Sequence, residues 1–167
     1  MKKFIFASII LAMISMINSI LIPPHPTAKF FQCVFLFPVP VLPNITLSPD
    51  PLVAGKLNIF TISGKLDKDV IIGDSFVVEF VNREGLSPLF EPFTMDICSR
   101  TGIKCPIKAG TALNISEEVL VPADLPGPDV FAILVSIGDI YDKSSVGINE
   151  VDPNYHPIAC GIAVYDN

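Results

Sequence analysis

The chain has 167 residues, with 11 Lys and Arg against 17 Asp and Glu, a formal net charge of −6. That balance argues against a nucleic-acid binder and against electrostatic docking on an anionic membrane, since both partners require a cationic face. Half of the residues are hydrophobic and Trp is absent, so one domain of this length has apolar side chains in excess and must bury them.

Lys2 and Lys3 open the chain, Phe4 to Ile17 is an apolar run, and Asn18-Ser19 offers a small residue for cleavage. This is the pattern expected of a signal peptide over residues 1–19: a basic start, then an apolar stretch too short for a comfortable bilayer span. Without it, 148 residues remain, carrying 9 basic and 17 acidic side chains. No later segment is long and apolar enough to cross a bilayer. Residues 20–43 form an apolar, Pro-rich lead (LIPPHP, FPVPVLP). Proline has no ladder donor, so the lead is expected to be extended, with at most an irregular edge strand around Cys33.

Residues 44–167 read as one domain of short β runs separated by turn signals. Ile45–Ser48 precedes the Pro49-Asp50-Pro51 turn, and Leu57–Ser63 runs between Gly55 and Gly64. Ser75–Val81 follows Gly73-Asp74. Leu86–Phe93 contains Pro88 and Pro92, which predicts an edge or bent strand. Thr111–Val121 leads to a corner at Pro126–Pro128, Val130–Ile137 is β-branched and apolar, and Pro157–Tyr165 closes the series. Helical periodicity is missing. About seven strands in an all-β, disulfide-bearing domain predict an antiparallel β-sandwich.

Side-chain alternation assigns the faces. Glu79 is expected to point outward, which turns Phe76, Val78 and Phe80 inward. Phe60 and Ile62 share a face, and Asn58 shares it near the strand end. Phe131, Ile133, Val135 and Ile137 are bulkier than Val130, Ala132, Leu134 and Ser136, so the bulkier set is taken as inward. A dry core accounts for all of these equally well.

Four cysteines allow three pairings. Cys98–Cys105 is the local choice around the Thr101-Gly102 loop, and Cys33–Cys160 then ties the first strand region to the last. That long loop stabilises by roughly 4–5 kcal/mol on the chain-entropy model. There is no CxxC, HxxH or Cys/His cluster, so neither a metal nor another cofactor is expected. The two histidines, His25 and His156, each precede a proline, and no GxSxG accompanies a serine; no catalytic residues are assigned. Gly55, Gly64 and Gly73 punctuate strands rather than form a phosphate loop, and Asp67 and Asp69 read as a solvated turn. Asn44-Ile45-Thr46 and Asn114-Ile115-Ser116 are glycosylation sequons. A glycan on Asn114 requires that side chain outward, with Leu113 and Ile115 inward.

Ser48-Pro49, Gly55-Lys56 opening a strand, Pro88-Leu89-Phe90 ahead of Cys98, Gly102-Ile103-Lys104-Cys105-Pro106-Ile107 and the late Cys160 together resemble the ML lipid-recognition domain. The order TLSPDP…AG…SG…DIC…CPIKAG…LPGP resembles the fungal phosphatidylglycerol/phosphatidylinositol transfer proteins, relatives of the Niemann-Pick-type sterol carrier. Asp50 stands where the sterol-carrier branch has an extra cysteine bridge. The resemblance covers roughly Cys33 to Tyr165. It implies an immunoglobulin-like sandwich with an apolar cavity between its sheets, a phospholipid or sterol ligand, transient membrane contact and a monomer of the secretory pathway, secreted or in a vacuolar or lysosomal lumen. Phe90 is the cavity-wall residue at a matched position. Alternation adds Phe60, Ile62, Phe76, Val78, Phe80, Phe131, Ile133 and Val135. A secreted interaction module with a dry core is the alternative.

Overall fold

A computed structural model describes residues 27–36, 38–139 and 157–165. The leader over residues 1–19, His25, His156 and most of the Tyr141–Pro157 connection lie outside the described residues. Among the described residues the chain forms eight strands: β1 (Ala28–Gln32), β2 (Asn44–Ser48), β3 (Leu57–Lys65), β4 (Asp74–Asn82), β5 (Phe93–Asp96), β6 (Ala112–Leu120), β7 (Phe131–Asp139) and β8 (Ala159–Tyr165). They make two antiparallel sheets, one ordered β1-β8-β7-β4-β5 and the other β2-β3-β6. The strands' substantial backbone contacts lie within a sheet, so side chains and connecting loops join the two layers.

The three-stranded sheet alternates cleanly. Asn58, Phe60 and Ile62 of β3 are buried between exposed or half-exposed neighbours, as are Leu113, Ile115 and Val119 of β6. One face meets the other sheet and one meets solvent. The five-stranded sheet behaves differently. Nearly every residue of β4 and β7 is buried, so both of their faces are covered. Phe76, Val78 and Phe80 of β4, with Phe131, Ile133, Val135 and Ile137 of β7, enter the core between the sheets. Glu79 faces the opposite way, as its strand position requires, but it is buried rather than solvated. On that outer face Cys33 and Leu36 pack against Leu134 and Cys160.

Two strand expectations are corrected. The run Leu86–Phe93 is not a strand: Pro88 makes only an isolated bridge to Val81, and pairing with β4 resumes past Pro92, at Phe93–Asp96. Each proline lacks the N–H that a continuous ladder needs there. The Pro-rich lead, in turn, contributes a regular edge strand, because Ala28–Gln32 contains no proline and pairs with β8 along five residues. Strand β8 carries small residues inward. A side chain at Gly161 would bring its Cβ within 2.5 Å of Ile45 Cδ1 and 3.0 Å of Leu42 Cδ1, so glycine there permits close approach of the second layer.

Disulfides join Cys33 to Cys160 and Cys98 to Cys105, each with Cα atoms 5.7 Å apart. The first fastens the end of β1 to its neighbour β8. The second lies in the connection from β5 to β6 and thus between the two sheets.

Candidate functional site

Phe60, Ile62, Phe76, Val78, Phe80, Phe131, Ile133 and Val135 lie in one cluster between the sheets, exposed by 4% or less. Phe90 is half-buried against the same cluster. Edge-to-face pairs Phe80–Phe131 and Phe131–Tyr165, with centroids 6.3 and 6.0 Å apart, carry the aromatic packing toward one end of the sandwich. At that end a cavity of about 250 Å³ is lined by Pro51, Leu52, Ala54, Leu125, Pro126, Pro128, Phe131 and Tyr165.

Three parts of the chain build this cavity. The turn from β2 to β3 supplies Pro51, Leu52 and Ala54, and the connection from β6 to β7 supplies Leu125, Pro126 and Pro128. Phe131 begins β7 and Tyr165 ends β8, so the five-stranded sheet forms the facing wall. None of the eight residues carries a charge at neutral pH. Of the nine residues expected to form a cavity wall, only Phe131 lines this space. The other lining residues lie in loops or at a strand end, where sequence reading identified turns without a shared location.

Among the described residues, two polar contacts tie the β2–β3 turn to the five-stranded sheet here. The Leu52 amide donates to the Tyr165 hydroxyl oxygen over 3.1 Å, and the Ala28 amide donates to the Asp50 carboxylate at 3.1 and 3.2 Å. Burial pushes the Tyr165 phenol up to about 12, so it is neutral at physiological pH. The opposite end is fastened more heavily. There the Cys98–Cys105 bridge is joined by reciprocal backbone bonds between Val70 and Ile107, both 2.9 Å. Lys108 pairs with Asp69 at 2.7 Å, and Arg100 of the disulfide loop pairs with Glu117 of β6. The hydrogen bond from Lys108 and one from the Ala109 amide hold the Asp69 carboxyl below its ordinary range. Asp69 is thereby committed to a structural turn. Among the described residues there is no group of three His, Cys, Asp or Glu side chains disposed to hold a metal ion.

The inner face of β3 also carries one polar side chain. Asn58 is fully buried in line with Phe60 and Ile62, and its Nδ2 donates to the Pro49 carbonyl over 2.8 Å. Asn114 is exposed, with Leu113 and Ile115 buried on either side, and Asn44 is exposed with its Nδ2 donating to Ser63 Oγ.

A family model described as the ML domain matches residues 28–145, most of the chain and all but the last of its strands. A phosphatidylglycerol/phosphatidylinositol transfer protein of Candida albicans is 34% identical over 88 residues. That match covers 51% of this chain and 44% of the relative, so the chain aligns with less than half of the relative's length.

Proposed function

The chain belongs to the ML domain family, and from that membership and the end cavity we propose that it is a non-enzymatic carrier that takes up a membrane lipid and transfers it between membranes. The observation that carries this reading is the uncharged cavity between the free ends of the two sheets, at the end opposite the disulfide clasp. Each CH₂ shielded from water is worth about 0.8 kcal/mol, so a two-chain lipid leaves a bilayer only into an enclosed apolar space. A space of about 250 Å³ is smaller than the roughly 300–1,000 Å³ of ordinary small-molecule sites. It accommodates a head group or part of one acyl chain. Uptake of the rest requires the sheets to separate, at which point Phe60, Ile62, Phe76, Val78, Phe80, Ile133 and Val135 become walls. Among the described residues the sheets are joined there by side chains and by the Leu52–Tyr165 and Ala28–Asp50 hydrogen bonds, a weak connection beside the clasp at the other end.

The name of the relative supports an anionic glycerophospholipid, phosphatidylglycerol or phosphatidylinositol, as ligand. Two disulfides fit an oxidising, secretory-type compartment. Residues 1–19 are assigned as the leader directing the chain there, and residues 20–167 as the mature carrier. Membrane contact is assigned to the cavity end. Leu57 and Leu120 lie directly opposite each other on the outer face of the three-stranded sheet and are exposed, with Val53 of the adjoining turn. An apolar patch continuous with a cavity mouth lets acyl chains pass from bilayer to protein without crossing water.

The test is lipid extraction from protein purified from a eukaryotic secretory host, with vesicle-to-vesicle transfer of labelled phosphatidylglycerol. Stoichiometric lipid and transfer that scales with protein concentration are expected. Protein that arrives empty and does not accelerate transfer would support the dry interaction module.

A further inference from the structure

Within the apolar interior, the Asn58 carboxamide oxygen is buried and has no hydrogen-bond partner among the described residues. Its orientation follows from chemistry. The Pro49 carbonyl only accepts, so the nitrogen must face it and the oxygen is left over. A buried acceptor without a partner is costly, and native interiors seldom leave one unless something fills the role. The place is also specific. Asn58 is the second residue of β3, and the turn it grips at Pro49 continues into Pro51 and Leu52 of the cavity lining.

From this orphaned oxygen on the inner face of β3, whose amide grips the turn that runs into the cavity lining, we infer that Asn58 is the polar recognition point of the lipid site, accepting a hydrogen bond from a hydroxyl group of the ligand. The inference rests on the carrier reading and adds the group recognised. An ionised phosphodiester presents only acceptors and cannot pair with a carbonyl oxygen, whereas an alcohol donates to it. The unpartnered Asn58 oxygen therefore selects for a hydroxyl next to an apolar body and cannot itself pair with the phosphate. Among the ligands that the family resemblance implies, a glycerophospholipid with a polyol head and a sterol both carry such a hydroxyl.

The experiment uses the full-length mature protein and two matched ligand pairs. One pair is phosphatidylglycerol and phosphatidylethanol with identical acyl chains, which differ in head-group hydroxyls. The other is cholesterol and its 3-O-methyl ether. The wild type is expected to bind the hydroxylated member of one pair about ten-fold more tightly, equivalent to ~1.4 kcal/mol. In Asn58→Leu that ratio is expected to fall to about one. A purely structural asparagine would weaken both members alike. In ¹⁵N-labelled wild type, which needs no mutant to fold, the Asn58 side-chain amide resonances are expected to move with the hydroxylated ligand only. The pair that shows the preference identifies the source as phospholipid or sterol. Equal binding within both pairs, or an unmoved Asn58 amide, overturns the inference while leaving the carrier intact. Failure of all four ligands to bind overturns the carrier reading and this inference with it.

Discussion

Glu79 is the buried carboxyl whose position has the clearest consequence for stability. It lies across from Leu134 on the outer face of the five-stranded sheet, between Val77 and Val81, and is 6% exposed. Desolvation pushes its carboxyl up from 4.5 to about 7. As pH rises from 4.5 toward 7 the unfolded chain releases this proton while the folded chain keeps it, so stability present below 4.5 is progressively lost. The gap corresponds to roughly 3 kcal/mol. Burial raises Asp74 as well, with Asp139 opposite it adding to the effect, and this contribution has the same sign. The protein is therefore expected to melt at a higher temperature at pH 4.5 than at pH 7, and Glu79→Gln to remove most of the slope by raising stability at pH 7. Calorimetry across that range checks it; an unchanged slope in Glu79→Gln would refute the assignment. Tyr165 sets a smaller term at the cavity. Tyr165→Phe deletes the acceptor of the Leu52 amide and is expected to cost about 0.5–1.5 kcal/mol. Because that contact links the sheets at the mouth, stopped-flow uptake of a fluorescent phospholipid should quicken, and unchanged uptake would exclude this bond as a restraint on opening.

At the scale of elements, the same local rules explain what sequence reading reached and what it missed. Alternation in β3 and β6 marks an inner face directly, because a sheet with one wet side repeats every two residues. It also placed Asn58 on that face. Strands β4 and β7 are covered on both sides and carry no such contrast, so Glu79 and side-chain bulk alone gave the direction. The displaced β5 followed from two prolines whose missing donors suggested an edge without fixing where pairing resumes. The cavity was the least legible part. Pro51, Leu52, Leu125, Pro126 and Pro128 are turn residues that meet only because β3 pairs with β6, and a turn signal says nothing about what lies across from it. The exposed pair Leu57 and Leu120 shows what the element adds, since they are 63 residues apart and opposite in the ladder. Leu57→Gln combined with Leu120→Gln is expected to slow transfer between vesicles several-fold. Lipid bound per protein and folding stability should stay the same, within about 0.5 kcal/mol for stability. Unaltered transfer would move membrane contact to another face.

At the scale of the molecule, the two covalent ties act on different problems. Cys33–Cys160 closes a loop of more than a hundred residues and is worth about 5 kcal/mol on the chain-entropy model, whereas Cys98–Cys105 closes a short one worth about 2–3 kcal/mol. The longer tie secures the five-stranded sheet to itself, and the shorter one tightens the β5–β6 connection that passes from one layer to the other at the end away from the cavity. Opening at the far end thus leaves both ladders intact and exchanges one apolar contact for another, protein against protein for protein against acyl chain. That exchange can be tested at Phe60, which is fully buried between the sheets. In the empty protein Phe60→Ala leaves a hole in a filled interior and is expected to cost roughly 3–5 kcal/mol. In the loaded protein a flexible acyl chain can occupy the vacated volume, so the cost should fall to less than half. Chemical denaturation of wild type and Phe60→Ala, each delipidated and each saturated with phosphatidylglycerol, gives the four stabilities required. Equal costs in the two states would mean that lipid does not enter between the sheets, and would confine any ligand to the end cavity around Phe131 and Tyr165.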